Sequence, residues 1–308
     1  MAKRRKGRKR GKKSLGAVLA VALIVVISML WNGSFSQLIA ERNYEKTGNE
    51  EELQVHFIDV DQGDATLILQ GEHAMLIDAG ENEYGNQIVD YLNYLGVDHL
   101  DYVIGTHPDS DHIGGLDTVL ENISWDTVLM PDYEKDTRTY EDVVKVLYSE
   151  GKEPVSPKPG DVYSLGTAQF TVLAPIGTYD SGNENSIAIR LVHGGSSFLF
   201  TGDAESGSES DMLLSGRLLA SDVYKVAHHG SSGANTELFL LAVNPEYAVI
   251  SCGKDNEYGH PHSEVLNRLR AMGTKVFRTD EQGTIVATSD GSEVTFQMSP
   301  SETWQSGR

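Results

Sequence analysis

His107-Pro108-Asp109-Ser110-Asp111-His112-Ile113-Gly114-Gly115 sets four imidazole or carboxylate side chains within six residues, directly after the apolar run Tyr102–Gly105. Imidazole and carboxylate are the ligand types expected for zinc, manganese or iron. A sharp loop at a strand end can aim His107 and Asp109 at one cation and Asp111 and His112 at an adjacent one. Gly114 and Gly115 would let the backbone turn away closely behind them. The stretch therefore reads as a two-cation centre at the C-terminal end of a strand. Cys252 is the only cysteine, which excludes an intrachain disulfide and a thiolate zinc finger.

Outward from this loop, strands and helices alternate. Val55–Val60 and Ala65–Leu69 are β-rich runs around a Gly-containing turn, and Ala74–Ile77 is a third strand ending in Asp78-Ala79-Gly80. Ile88, Val89, Leu92 and Leu95 have helical spacing, closed by Gly96. Further strands are expected at Val128–Met130, Gln169–Leu173, Ser186–Val192, Ser197–Thr201, Val223–Ala227 and Ala248–Ser251, and helices at Tyr140–Glu150, Ser208–Leu219 and His262–Met272. The chain closes with strands at Lys275–Arg278, Thr284–Thr288 and Glu293–Gln297, the last two joined by a turn at SDGS. Two β-rich halves, each interrupted or followed by helices, predict an α/β (α+β) sandwich with helices outside two sheets.

Charge divides the chain. Residues 1–13 hold nine basic residues and no acid; the remaining chain carries 16 basic against 45 acidic residues, an excess of 29 negative charges. Such a body repels phosphate backbones at long range, which argues against a broad duplex-binding surface. An anionic substrate has to be held locally, and metal ions are the obvious local cations. Leu15–Trp31, LGAVLAVALIVVISMLW, is 17 residues without a charge, near the lower limit for a bilayer span. Basic residues ahead of it orient it with its N-terminus in the cytoplasm. The expected organisation is a basic cytoplasmic tail at 1–13, a transmembrane anchor or signal sequence at 14–31, a polar linker at 32–52, the catalytic domain at 53–298 and a tail at 299–308. The catalytic domain would lie outside the cytoplasm, single-pass at the cell membrane or secreted, and oligomeric state is not legible.

HxDxDHxGG resembles the metallo-β-lactamase-fold signature HxHxDH, with Asp109 at the second His. The strings HFIDVDQGDATLI, MLIDAG, YVIGTHPDSDHIGGL, FLFTGD, VYKVAHHGSSG, YAVISCGKDNEYGHP and RTDEQGTIVATSDG resemble the hydrolase domain of the ComEC competence family and its stand-alone relatives. The resemblance runs from about Gln54 to Val294, with one departure, Asp61 where the family reads Gly. It implies a four-layer αββα sandwich holding two divalent ions, zinc or manganese, at one end of the sheets. By that resemblance Asp78 supports the metal loop from behind, fixing a His tautomer, and Asp203 bridges both ions. Of the pair His228-His229, His228 comes first after its strand and is preferred as the terminal ligand; His229 is left to bind a substrate oxyanion or the metal. Asn185 stands where many members of the fold have a His, and its amide oxygen is a weak ligand. His260, in YGHP, is a candidate for a further ligand or a general acid.

The implied ligands are thus His107, Asp109, Asp111, His112, Asn185, Asp203 and His228. Asp109, Asp203, His229 and His260 are the candidates for orienting water or assisting the leaving oxygen. Ser231, Ser232, Asn235 and Thr236 are open between phosphate contacts and a turn with a helix cap. His56, His73, His99, His193 and His262 lack motif context. The implied substrate is a phosphodiester, single-stranded DNA or teichoic acid; a β-lactam, lactone or thioester on the same site, and a non-catalytic partner of a DNA-uptake machine, are the alternatives.

Overall fold

Leu67 and Ile68, Met75 and Leu76, and Val103 and Ile104 are neighbours in sequence, all buried, and each pair divides between two separate hydrophobic clusters. Successive strand residues point to opposite faces, so these strands are covered on both sides and read as continuous apolar runs. The computed structural model describes residues 51–307 and shows what covers them.

One seven-stranded sheet contains β1 (Leu53–Phe57), β2 (Thr66–Gln70), β3 (His73–Ile77), β4 (His99–Ile104), β5 (Ser124–Leu129), β13 (Ile285–Ser289) and β14 (Val294–Phe296), in the order β14-β13-β1-β2-β3-β4-β5. The other contains β6 (Val162–Leu165), β7 (Ala168–Ala174), β8 (Ala188–His193), β9 (Ser196–Phe200), β10 (Val223–Lys225), β11 (Tyr247–Ile250) and β12 (Lys275–Arg278), in the order β12-β11-β10-β9-β8-β7-β6. Helices α1 (Gly85–Leu95), α2 (Ser110–Ile113), α3 (Leu116–Asn122) and α4 (Arg138–Ser149) follow strands of the first sheet. Helices α5 (Ser206–Leu214), α6 (Glu237–Val243), α7 (Ser263–Met272) and α8 (Thr279–Gln282) follow strands of the second.

Three hydrophobic clusters separate four layers. Phe57, Ile68, Phe170, Phe198 and Phe277 fill the space between the sheets. Ile88, Leu92, Val119 and Leu147 pack helices on the first sheet, and Met212, Phe239, Leu240 and Leu266 pack helices on the second. Each fully buried side chain of this size contributes about 1.5–3 kcal/mol. The expected αββα sandwich is what forms.

The two sheets use the same device to build one end of the molecule. β3, β4 and β5 run parallel, as do β9, β10, β11 and β12. Loops after the C-terminal ends of parallel strands are where α/β folds place their ligands. Here those loops carry Asp78 after β3, His107 after β4, Asp203 after β9, His228 and His229 after β10 and Ser251 after β11.

Some elements differ from the sequence expectation. α3, β6 and α6 were not anticipated: α6, ELFLLAV, is a short apolar run whose periodicity does not distinguish helix from strand. The helix expected at Ser208–Leu219 ends at Leu214, and Ser215 accepts the terminal role with its N–H bonded to Asp211 O. Residues 299–307, set off above as a tail, run beside β12: Ser301 N donates to Val276 O at 2.7 Å and Arg278 Nη1 to Gln305 O at 2.6 Å. The expected basic tail at 1–13, the expected anchor or signal sequence at 14–31 and residues 32–50 of the expected linker lie outside the described residues. Among the described residues no helix is long and apolar enough to cross a membrane.

Candidate metal centre

The loop after β4 becomes one helical turn. His112 N and Ile113 N both donate to Asp109 O, at 3.1 and 3.0 Å, so α2 starts at Ser110 and turns Asp111 and His112 inward together. The glycines behind it serve a different purpose from the one expected. Gly114 and Gly115 have ordinary helical φ values of −57° and −84°. A Cβ at Gly114 would stand 2.4 Å from Asn82 N and one at Gly115 2.5 Å from Ala79 O. They are needed for close approach of the Asp78–Asn82 loop, not for turning. Backbone bonds Ala79 N→His112 O at 2.7 Å and Asp64 N→Asp111 O at 3.0 Å lock the three loops together.

Asp78 stands behind this loop, buried. It accepts from Thr106 N at 2.8 Å, Thr106 Oγ1 at 2.7 Å and His112 Nδ1 at 2.8 Å. An Nδ1–H committed to Asp78 leaves the Nε2 lone pair of His112 facing Asp203 Oδ1, 3.2 Å away. That is the outer carboxylate role expected of Asp78.

The opposite wall comes from the second sheet. His228 and His229 both have left-handed backbones, φ 49° and 52°, which is costly for residues with a Cβ. The loop is held by Asn235, whose Nδ2 donates to Ala227 O at 3.0 Å and to Ser231 O at 3.2 Å while its Oδ1 accepts from Tyr224 Oη at 2.9 Å. The buried Glu209 carboxylate accepts Asn235 N and Thr236 N at 2.5 and 2.9 Å. Asn235 is therefore spent on the turn, and Ser231 Oγ accepts from Gly233 N.

This turn carries His229, rather than His228, into the buried cluster. His229 is 1% exposed; its Nδ1 donates to Ser251 O at 3.0 Å, and its Nε2 lies 3.2 Å from Asp111 Oδ2 and 3.6 Å from Asp203 Oδ2. His228, expected as the terminal ligand, is 22% exposed, with Nδ1 3.2 Å from Glu205 and Nε2 3.7 Å from Asp203 Oδ2. Being first after the strand decides little here, because two consecutive left-handed residues bring the second side chain inward.

Ligand-type atoms within 4.8 Å of one another group as His107, His112 and Asp203; as Asp111, His112 and His229; as Asp64, Asp78 and His112; and as Asp64, Asp203 and His229. His107 Nε2, His112 Nε2 and Asp203 Oδ1 are buried without a hydrogen-bond partner. Unpartnered buried nitrogens and oxygens are costly unless something else satisfies them. Basic lone pairs converging on a carboxylate fit a divalent cation, so the residues present suit the metal ions the motif implies.

Electrostatics point the same way. Burial works against a charge on His229, yet the Asp203 and Asp64 carboxylates push its pKa up to about 10. Burial likewise opposes charge on His112, but Asp203 and Asp78 hold it well above the ordinary range. Despite their own burial, Asp203 is held well below the carboxylate range by His112 and His229, and Asp111 is lowered to about 2 by His112 and His229. The cavity demands positive charge, and divalent ions meet the same demand. His107, by contrast, is lowered to about 4 by burial and by His112.

The His107 end is built differently. His107 Nε2 is 3.9 Å from Asp109 Oδ1, and Asp109 is half-buried and joined to Lys135 Nζ at 2.7 Å. Asn185 is buried against this end, but its amide nitrogen is used on Tyr179 O and Ser181 O at 2.8 and 2.7 Å. A Cβ built at Gly182 would lie 3.1 Å from Asp109 Oδ1, which places the Asn183–Asn185 turn beside that carboxylate. Asp109 joins none of the four groups above.

His260 is buried beside the mouth, its ring 5.5 Å from that of His228 and 6.1 Å from that of His229, with Nδ1 unpartnered. Burial and the neighbouring His229 and His228 lower it to about 3. His262 caps α7 and accepts from Ser232 N at 2.9 Å. His56 faces Tyr91 Oη, His73 Asp101, His99 Ser124 and His193 Ser289.

Four residues of the site were not singled out from sequence: Asp64, Lys225, Glu205 and Lys135. Lys225 is 3% exposed and lies 2.8 Å from Asp64 Oδ1; that oxygen is 3.3 Å from His229 Nδ1. The signal was present in VYKVA, where a lysine interrupts an otherwise buried strand. Nothing in the local sequence marks Lys135, which reaches Asp109 from the loop between β5 and α4.

The family model described as the metallo-beta-lactamase superfamily matches residues 58–254. The chain is similar to ComE operon protein 3 of Bacillus subtilis, 32% identical over 81% of this chain and 34% of that protein. It is also similar to competence protein ComA of Neisseria gonorrhoeae, 33% identical over 77% of this chain and 32% of that one. The chain thus spans about a third of the length of these relatives. Among solved structures it resembles the metallo-beta-lactamase fold protein YhfI of Bacillus subtilis, with a TM-score of 0.55 and 14% identity, covering 77% of this chain and 100% of that one.

Proposed function

Because the chain belongs to the metallo-beta-lactamase superfamily and is related to competence proteins, we propose that it is a dinuclear metal-dependent phosphodiesterase. Its substrates are single-stranded DNA or cell-wall phosphodiesters outside the cytoplasm, and residues 15–31 hold it at the membrane. The observation that carries the reading is the convergence of buried, unpartnered His107 Nε2, His112 Nε2 and Asp203 Oδ1.

Asp111, His112 and His229 would hold one ion and His107, Asp109 and Asn185 the other, with the Asp203 carboxylate offered to both. Bound there, two divalent ions, zinc or manganese, supply Lewis-acid stabilisation of the phosphoryl charge and make water a nucleophile near neutral pH. The chain's own residues do the rest. Asp78 and the Ser251 carbonyl fix which nitrogen of His112 and of His229 carries the proton, so that both Nε2 atoms face inward. Asp109 and Asp203 orient the attacking water. His228, partly open to solvent and next to Glu205, is placed to pass a proton to the leaving oxygen. The acidic body favours a short strand gripped at the site over a duplex laid across the surface.

The test is hydrolysis of bis-p-nitrophenyl phosphate by the full chain with added Mn²⁺ or Zn²⁺. We expect turnover that falls at least about a thousandfold in Asp203→Ala and Asp111→Ala, in line with loss of a charge-stabilising group. Nitrocefin turnover exceeding diester turnover, or diester turnover unaffected by both substitutions, would refute the proposal.

A further inference from the structure

Lys135 is a cation set against one of the carboxylates offered to the second metal. Its Nζ donates to Asp109 Oδ1 at 2.7 Å, and both side chains are partly exposed, 38% and 31%. The loop that carries it is pinned at two points: Thr137 N donates to Lys135 O at 2.8 Å, and Tyr133 Oη donates to Asp180 O at 3.0 Å. Residues 131–134, just before it, border a cavity of about 530 Å³ between the loop and α4, so the loop is not packed solidly on the body. The other lysine of the site, Lys225, is buried and committed to Asp64 and to Val226 O.

A divalent cation at the His107–Asp109 end needs the same Asp109 oxygen and is repelled by the same ammonium. An anion entering the mouth attracts the ammonium and leaves the carboxylate free. We propose that Lys135 competes with the cation at the His107–Asp109 end, and that a phosphodiester anion relieves this competition by drawing Lys135 onto a non-bridging oxygen. The second ion and the substrate anion therefore bind cooperatively, each strengthening the other by the same factor. Lys135 is then both a substrate contact and a brake on loading the less well-built end. This inference rests on the two-ion phosphodiesterase reading.

The experiment is calorimetry of the metal-stripped full chain with Mn²⁺, with and without dimethyl phosphate, which carries the diester anion but is not consumed on this timescale. In the wild type we expect one tight ion and one weaker ion, the weaker strengthened about fivefold by dimethyl phosphate, at the lower edge of ordinary coupling. In Lys135→Ala the weaker ion should tighten about two- to fivefold without anion, the range set by a partly exposed ion pair. The effect of dimethyl phosphate should then shrink to what direct attraction to the ions supplies. Lys135→Arg should retain the coupling, and the tight ion should be unchanged in all three proteins, which also reports that the variants are folded. An unchanged or weakened second ion in Lys135→Ala, or coupling undiminished by the substitution, overturns the inference. A wild type that takes up only one ion at any Mn²⁺ concentration overturns the two-ion reading instead.

Discussion

Asp111, His112 and His229 face one end of the site with their far sides anchored: His112 on Asp78, His229 on the Ser251 carbonyl and beside Asp64. His107, Asp109 and Asn185 face the other end with less behind them. Asp109 is partly exposed and shared with Lys135, and Asn185 spends its nitrogen on its own turn. Both ends draw on the same nine-residue stretch, so ligand type alone would not set how firmly each could hold a cation. The difference lies in what stands behind the ligands: buried carboxylates, one of them neutralised by a buried lysine. A ligand that is already oriented and already desolvated loses little more when the cation arrives.

The sharpest way to break the contrast is to remove the support of the stronger end. Lys225→Met leaves Asp64 buried without its principal cation, and we expect a loss of about 3–5 kcal/mol, since half a buried pair is worse than none. Thermal unfolding should show it as a clear fall in midpoint. Adding Asp64→Leu should recover much of that stability while weakening the tight ion; recovery of both would mean the pair does nothing for His229. Next in size is a ligand exchange between the ends. His229→Ala should weaken the tight ion by about a hundredfold or more, because outer-layer partners alone are worth 10–100-fold. Asp109→Ala should nearly abolish the second ion while costing the first far less, because Asp109 belongs to none of the groups around His229. Equal losses from the two substitutions would erase the distinction. The smallest effect is a gain: Asn185→His should tighten the second ion several-fold, as imidazole replaces an amide that binds cations poorly. No gain would show that the Asn185 position does not reach the ion.

Much of this arrangement was legible beforehand, and for identifiable reasons. His107, Asp111 and His112 sit on one short loop after a strand, where spacing and neighbours determine geometry. Asp78 and Asp203 were recognisable through the resemblance to the ComEC-type hydrolase family, not from local pattern alone. That His229 rather than His228 turns inward was not legible, because it depends on two left-handed backbone residues held by Asn235 later in the same loop and by Glu209 from α5. Gly114 and Gly115 were read as turning residues, while their role is to let a loop 30 or so positions earlier come within contact. α6 escaped notice because a short apolar run carries no period long enough to tell helix from strand.

By itself the sequence determined the layered α/β plan, the concentration of imidazoles and carboxylates at strand ends, and the acidity of the body. Those follow from local pattern: apolar runs that need cover on both faces, and turns that fall where strands stop. Only the tertiary structure decided that Asp64 and Lys225, 161 positions apart, pair beneath His229, that Lys135 reaches Asp109, and that the two ends of the site are unequal. Each of these depends on which distant groups share a small volume from which water is excluded, and the strength of an interaction between charges is set by that shared burial rather than by their order along the chain.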